Sequence, residues 1–87
     1  MANSVITIQF TLKSGEAIEV TEDLGQEVTP EAVESYGRAL ATDLGKDTVR
    51  TFAYWYGDDF YFDAVRMSEV AAFSISTEEE PEYVEEE

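Results

Sequence analysis

Between Val5 and Leu12 apolar and polar side chains alternate, with Ile6, Ile8, Phe10 and Leu12 on one side and Thr7, Gln9 and Thr11 on the other. A period of two with β-branched residues predicts a half-buried strand. The alternation resumes from Glu16 to Val20 through Ile18 and Val20. The loop between the two runs follows from what it would pair. A two-residue loop sets Phe10 opposite Glu19 and brings a carboxylate beside the core. A three-residue loop, Lys13-Ser14-Gly15, pairs Phe10 with Ile18 and Ile8 with Val20. It also gives Gly15 the left-handed position of a type I turn with a G1 bulge.

Beyond the polar connection Thr21 to Gln26 the period changes. Val33, Tyr36, Gly37, Leu40, Ala41 and Leu44 recur at steps of three and four, the stripe of an amphipathic helix. Thr29 is placed to cap it, Pro30 to fill its first position, and Val28 and Val33 to form a hydrophobic staple. Gly45, just past the stripe, predicts its end. A third strand from Thr48 to Tyr56 and a fourth from Phe60 to Val65 are joined around Gly57-Asp58. A fifth, Ala71 to Ser76, follows a turn at Met67-Ser68-Glu69. The order β-β-α-β-β-β predicts an α+β domain over 1–77: a mostly antiparallel sheet of about five strands with one helix on one face.

For the third and fourth strands, a two-residue Gly57-Asp58 turn pairs Trp55 with Phe60, Ala53 with Phe62 and Tyr54 with Tyr61. The expected orientation turns Val49, Ala53, Trp55, Phe60 and Phe62 toward the helix. Phe52, Tyr54, Tyr56 and Tyr61 then lie on the open face beside Arg50, Asp59 and Asp63. It is preferred because it sets Arg50 and Asp63 outside and the large apolar rings inside. A three-residue loop would exchange the two faces.

Composition narrows the chemistry. The 87 residues hold 20 acids against 5 Lys+Arg, a net charge of -15, with no His and no Cys. That excludes a His base, a Cys nucleophile, disulfides, and zinc sites built on His or Cys. Seven of the acids are glutamates at 78–87, expected to be a disordered tail; residues 1–77 still carry 13 acids, a net -8. No apolar run is long enough to span a bilayer, and the start of the chain lacks the pattern of a secretory signal. With no cysteine to suggest an oxidising compartment, the expected location is the cytoplasm.

Tyr56-Gly57-Asp58-Asp59 has the letters of the hairpin motif of viral RNA-dependent polymerases, where paired carboxylates hold magnesium. Here four residues match, in a chain far too short to hold template and nucleotide. Asp58, Asp59 and Asp63 lack the ligand spacing of a calcium loop. Lys13 and Lys46 fall on turns, and no serine has a base in motif spacing. The expectation is a non-enzyme without cofactor or metal.

The acids themselves are the sharper feature. A protein can occupy a nucleic-acid-binding site by presenting carboxylates where phosphates would lie, since the site's Lys and Arg supply most of the affinity. Glu19 and Asp23 share the outward side of the second strand, with Glu16, Glu22 and Glu27 expected in the flanking loops. Glu31 and Glu34 add to the helix, and Asp58, Asp59 and Asp63 to the later hairpin. Glu31 also suits a helix N-terminus and Glu34 can pair with Arg38, but these roles do not explain the sum. Phe52, Tyr54, Tyr56 and Tyr61 complete the expected partner-binding surface. Nucleic acid itself is not the expected ligand, because only Arg50 stands near those rings.

The reading is an acidic inhibitor or modulator of a basic, nucleic-acid-handling protein. Its size, acidity and missing catalytic residues give it the general look of small phage-encoded inhibitors such as anti-CRISPR and anti-restriction proteins, though no motif carries that likeness. The alternative is an assembly module that forms a homo-oligomer or docks a larger complex through exposed sheet aromatics. An acidic composition from a salt-adapted source is a third account, to which fourteen Glu against six Asp lend nothing particular.

Overall fold

A computed structural model describes residues 4–77. Along the chain run β1 (Val5–Leu12), β2 (Ala17–Asp23), α1 (Pro30–Thr42), β3 (Val49–Tyr56), β4 (Asp59–Arg66) and β5 (Val70–Ser76). A single 3-10 turn, Met67–Glu69, occupies the predicted turn between β4 and β5. The α+β class and the β-β-α-β-β-β order are as the sequence predicts, and every strand pair is antiparallel. The five strands divide into two ladders: β2-β1-β5, with β1 central, and the β3-β4 hairpin. The acidic segment 78–87 lies outside the described residues.

Local chemistry explains each junction. Gly15 has φ +99°, and the three-residue loop sets Phe10 opposite Ile18 and Ile8 opposite Val20. The Leu12 amide donates to the Glu16 carbonyl at 2.8 Å, closing that loop. At the helix start the Ala32 amide donates to Thr29 Oγ1 at 3.1 Å, with Pro30 beside the cap. The helix stops at Thr42, with Asp43 as its C-cap. The chain then tightens through Leu44, whose amide donates to the Ala41 carbonyl at 3.1 Å, before Gly45 at φ +82° redirects it.

One hydrophobic cluster joins these parts. Ile6, Ile8 and Phe10 of β1, Val20 of β2, Leu40 of α1, Phe52 of β3, Val65 of β4, and Met67 and Val70 are all buried. Val33, Tyr36 and Leu44 bring the helix stripe down onto them, with Gly37 facing Ile75 of β5. A methyl group on Gly37 would stand 3.5 Å from Ile75 Cδ1, an ordinary van der Waals contact. The hairpin is held to the rest by Phe52, whose ring lies 5.7 Å from that of Phe10.

The hairpin corrects one expectation. Its pairing is as predicted, with Trp55 opposite Phe60 and Tyr54 opposite Tyr61, but its faces are the reverse of those expected. Phe52 is 2% exposed and Val65 is buried beside it, so the side carrying Arg50, Phe52, Tyr54, Tyr56, Tyr61 and Asp63 faces the body. Val49, Thr51, Ala53, Trp55, Phe60, Phe62, Ala64 and Arg66 form the outer face, all exposed. The reason is Arg50. It need not face open water, because its Nε donates to Asp43 Oδ2 at 2.8 Å at the rim of the core. Asp63 is likewise accommodated, half-buried, beside β2 rather than in the interior.

Three substitutions check this packing. Phe52→Ala should lower the unfolding free energy by about 3–5 kcal/mol, whereas Phe62→Ala in dilute solution should change it by less than about 1 kcal/mol. Gly37→Ala should stabilise by about 0.5–1 kcal/mol, since the space exists and the backbone is helical. Denaturant titration reads all three.

Candidate functional site: two acid-lined concavities beside β2

β2 is an edge strand of its ladder; helix residues line a groove with its Glu22–Asp23 end, and hairpin residues line a concavity with Glu19, Val20 and Thr21. Between β2 and α1 lies an open groove of about 630 Å³. Glu22, Asp23 and Glu31 line it, together with Thr29, Ser35 and Tyr36. Between β2 and the hairpin lies a smaller concavity of about 240 Å³, lined by Glu19, Val20, Thr21 and Asp63 and walled by Tyr54, Tyr56 and Tyr61. The Tyr54 and Tyr56 rings stand 6.4 Å apart, close to the spacing of alternate residues on a strand.

The structure thus brings Asp63 of β4 to Glu19 of β2, and Glu31 of α1 to Glu22 and Asp23 of β2. Asp23 also accepts a hydrogen bond from the Gly25 amide at 2.9 Å, which fixes the turn leaving β2. Glu34 is engaged by Arg38, at 2.6 Å across one helical turn. Glu16 and Glu27 are exposed in loops at opposite ends of β2, as expected, but Glu22 is not in a loop: β2 runs on to Asp23 and holds it half-buried. Asp58 and Asp59 are exposed at the hairpin tip. Phe52 leaves the candidate surface altogether, because it is buried. Tyr54 is half-buried, while Tyr56 and Tyr61 remain exposed.

A polar cluster anchors the inner wall of the larger groove. Arg50 bridges from Asp43 to the Ala39 carbonyl at 3.4 Å, near the C-terminal end of α1. Burial, then the neighbouring Asp23, pushes the Glu22 carboxyl above its ordinary value, and Arg50 offsets part of the shift. Burial, then Glu22, pushes the Tyr36 phenol up to about 12, again against a smaller opposing effect of Arg50. Tyr36 was visible in the sequence only as a member of the apolar stripe. In the structure that stripe residue also lines the groove.

Two further points bound the chemistry. Among the described residues no three acids converge closely enough to hold a metal ion, and no helix is long and apolar enough to cross a membrane. No protein family matches the sequence, and no curated protein or solved structure matches it either. The functional reading therefore rests on the residues.

The raised values carry a sign. For Glu22 the folded state holds its proton more tightly than the unfolded state, so its contribution to stability falls as pH rises through its titration. Glu22→Gln should raise the melting temperature at neutral pH, and that gain should vanish once the pH drops below the ordinary value of 4.5. For Tyr36 the unfolded chain ionises first, so stability should fall between pH 10 and about 12. Tyr36→Phe should remove that part of the alkaline loss. Melting curves of the variants against the parent across pH measure both effects.

Proposed function

We propose that this chain is a non-enzymatic acidic interaction protein that occupies a basic surface of a nucleic-acid-handling protein by charge mimicry, acting as its inhibitor or modulator. The observation that carries this reading is the clustering on β2, where one strand presents carboxylates into two adjoining concavities. Glu19 meets Asp63 on the hairpin side, and Glu22 and Asp23 meet Glu31 on the helix side.

Charge arrangement adds support. Two of the five cations, Arg38 and Arg50, are tied to acids of the same molecule, Glu34 and Asp43, and of the two only Arg50 reaches the acids of β2, where it partly offsets Glu22. Glu19 and Asp23 share one face of β2 with Thr21 between them, which sets their backbone positions about 13 Å apart along one line. The exposed rings of Tyr56 and Tyr61 offer amphipathic anchors at its edge, the residue type that dominates interface hot spots. A basic groove evolved for phosphates would meet anions here without the deformability of a nucleic acid. The mimic is of the kind small phage anti-defence proteins use.

The test is capture of partners from a host lysate on the immobilised chain, followed by mass spectrometry. The expected partner is a nucleic-acid-binding protein that is retained at low salt, released at high salt and displaced by duplex DNA or RNA. Glu19→Gln with Asp63→Asn, added to Glu22→Gln with Asp23→Asn, should cut retention by about tenfold or more while the melting temperature holds or rises. A partner indifferent to salt, nucleic acid and all four changes would overturn the mimicry reading.

A further inference from the structure

The hairpin carries a second surface that the acidic reading does not use. On its outer face Trp55, Phe60 and Phe62 are 64%, 49% and 60% exposed, and Trp55 and Phe60 lie 4.8 Å apart as a tilted pair. Such rings cover roughly 150–250 Å² each when fully buried, so the patch amounts to about 300–400 Å² of aromatic surface. That is at the scale that marks interaction sites on soluble proteins. The hairpin is moreover only two strands wide, a form that is marginal in water unless something packs on it. Its near half is secured by Phe52 and Val65, while its far half exposes rings on both sides.

We infer that this outer face is the contact between two copies of the chain, packed face to face with their hairpins antiparallel. The first argument is charge. The outer face holds no carboxylate and one cation, Arg66, in a molecule of net charge -15. This face is free of the like-charge repulsion that the acids of β2, the helix and the hairpin tip would set against a second copy.

The second argument is shape and polarity along the strands. The large rings sit near the tip, whereas Thr51 opposite Ala64 forms a low step near the base, beside Arg66. Turning one copy end for end sets the rings of each over the low step of the other. It also brings Arg66 of each copy to the tip of the other, where Trp55 offers a cation–π face and Asp58 a carboxylate. A parallel arrangement would stack ring on ring and leave both arginines side by side.

The chain's own glutamate-rich segment is a poor rival for this face. Residues 78–87 offer only Pro81, Tyr83 and Val84 among seven glutamates. The last described residue, Thr77, lies instead beside Val28, Pro30 and Val33 at the start of the helix. The patch is smaller than the roughly 800 Å² per partner of a standard interface, so the dimer is a weak one, with a dissociation constant about micromolar or above.

Sedimentation equilibrium of the full chain up to about 1 mM, with the emission of its single tryptophan recorded alongside, tests the proposal. The expected result is a monomer–dimer equilibrium in which Trp55 emission shifts to shorter wavelength as the dimer forms. Added salt should strengthen it, by screening the repulsion between two acidic chains. Phe62→Asp should weaken association about tenfold or more without unfolding the chain, as circular dichroism would verify. Arg66→Asp should weaken it severalfold, and Asp58→Arg in the same chain should restore it. A strict monomer over the whole range overturns the inference and leaves the face to a different protein. So does a dimer indifferent to Phe62→Asp. Failure of the charge exchange to restore binding would overturn the antiparallel arrangement.

Discussion

Two separate hydrogen-bonded ladders make this fold, and side-chain packing has to do what a continuous sheet would otherwise do. The contact on which the rest depends is Phe10. Its ring lies 5.7 Å from Phe52 of the hairpin and 6.1 Å from Phe73 of β5, so one side chain of the central strand touches both sheets. Tilted pairs at such separations gain about 0.5–1.5 kcal/mol beyond the area they bury. The helix closes the same cluster through Leu40, and Arg50 ties the base of the hairpin to the helix end through Asp43. Both concavities beside β2 exist because these contacts hold the hairpin and the helix against that strand at fixed distances.

Much of this was legible in the sequence where a local rule had a single answer. The Lys13-Ser14-Gly15 loop followed from asking which length keeps Glu19 out of the core, and Gly15 supplied the φ that the answer needed. Thr29 and Pro30 announced the helix start, and the Gly57-Asp58 turn fixed the hairpin pairing. The faces of that hairpin were not legible in the same way. Both faces are rich in rings, so the choice turned on where Arg50 would tolerate being. A long side chain with its head at the rim and a carboxylate 2.8 Å away satisfies an inward position as well as an outward one. The partner, Asp43, is a C-cap seven residues earlier, and nothing in the strand pattern points to it. One signal did exist: Val49, Thr51, Ala53 and Trp55, with Phe60, Phe62, Ala64 and Arg66, make a face without a single acid in a strongly acidic chain.

The candidate site divides along the same line. Parity along β2 was enough to put Glu19 and Asp23 on one side, because alternation is a property of the strand alone. That Asp63 would join Glu19, and Glu31 would join Glu22, depended on how the hairpin and helix pack across β2. The hairpin ends up with two unlike surfaces: a tyrosine and carboxylate wall toward β2, and a neutral-to-basic aromatic face away from it. A partner with a basic groove and a second copy of the chain would therefore not compete for the same residues.

The position of β1 has a further consequence, for the order of events in folding. β1 is paired on one side with β2, its neighbour in sequence, and on the other with β5, where Leu12 meets Val70 and Thr7 meets Ser76. The β1-β2 and β3-β4 hairpins close over short loops and can form early, but neither buries Phe10. Its enclosure needs the hairpin's Phe52, the helix and β5 together, and β5 returns across some sixty residues of intervening chain, a count set by the Leu12–Val70 pairing. Long-range closures of this kind slow folding, since the loop must be ordered before any contact rewards it. Until that strand arrives the central strand keeps one bare edge, and the high negative charge of the chain is what keeps neighbouring molecules from adding to it.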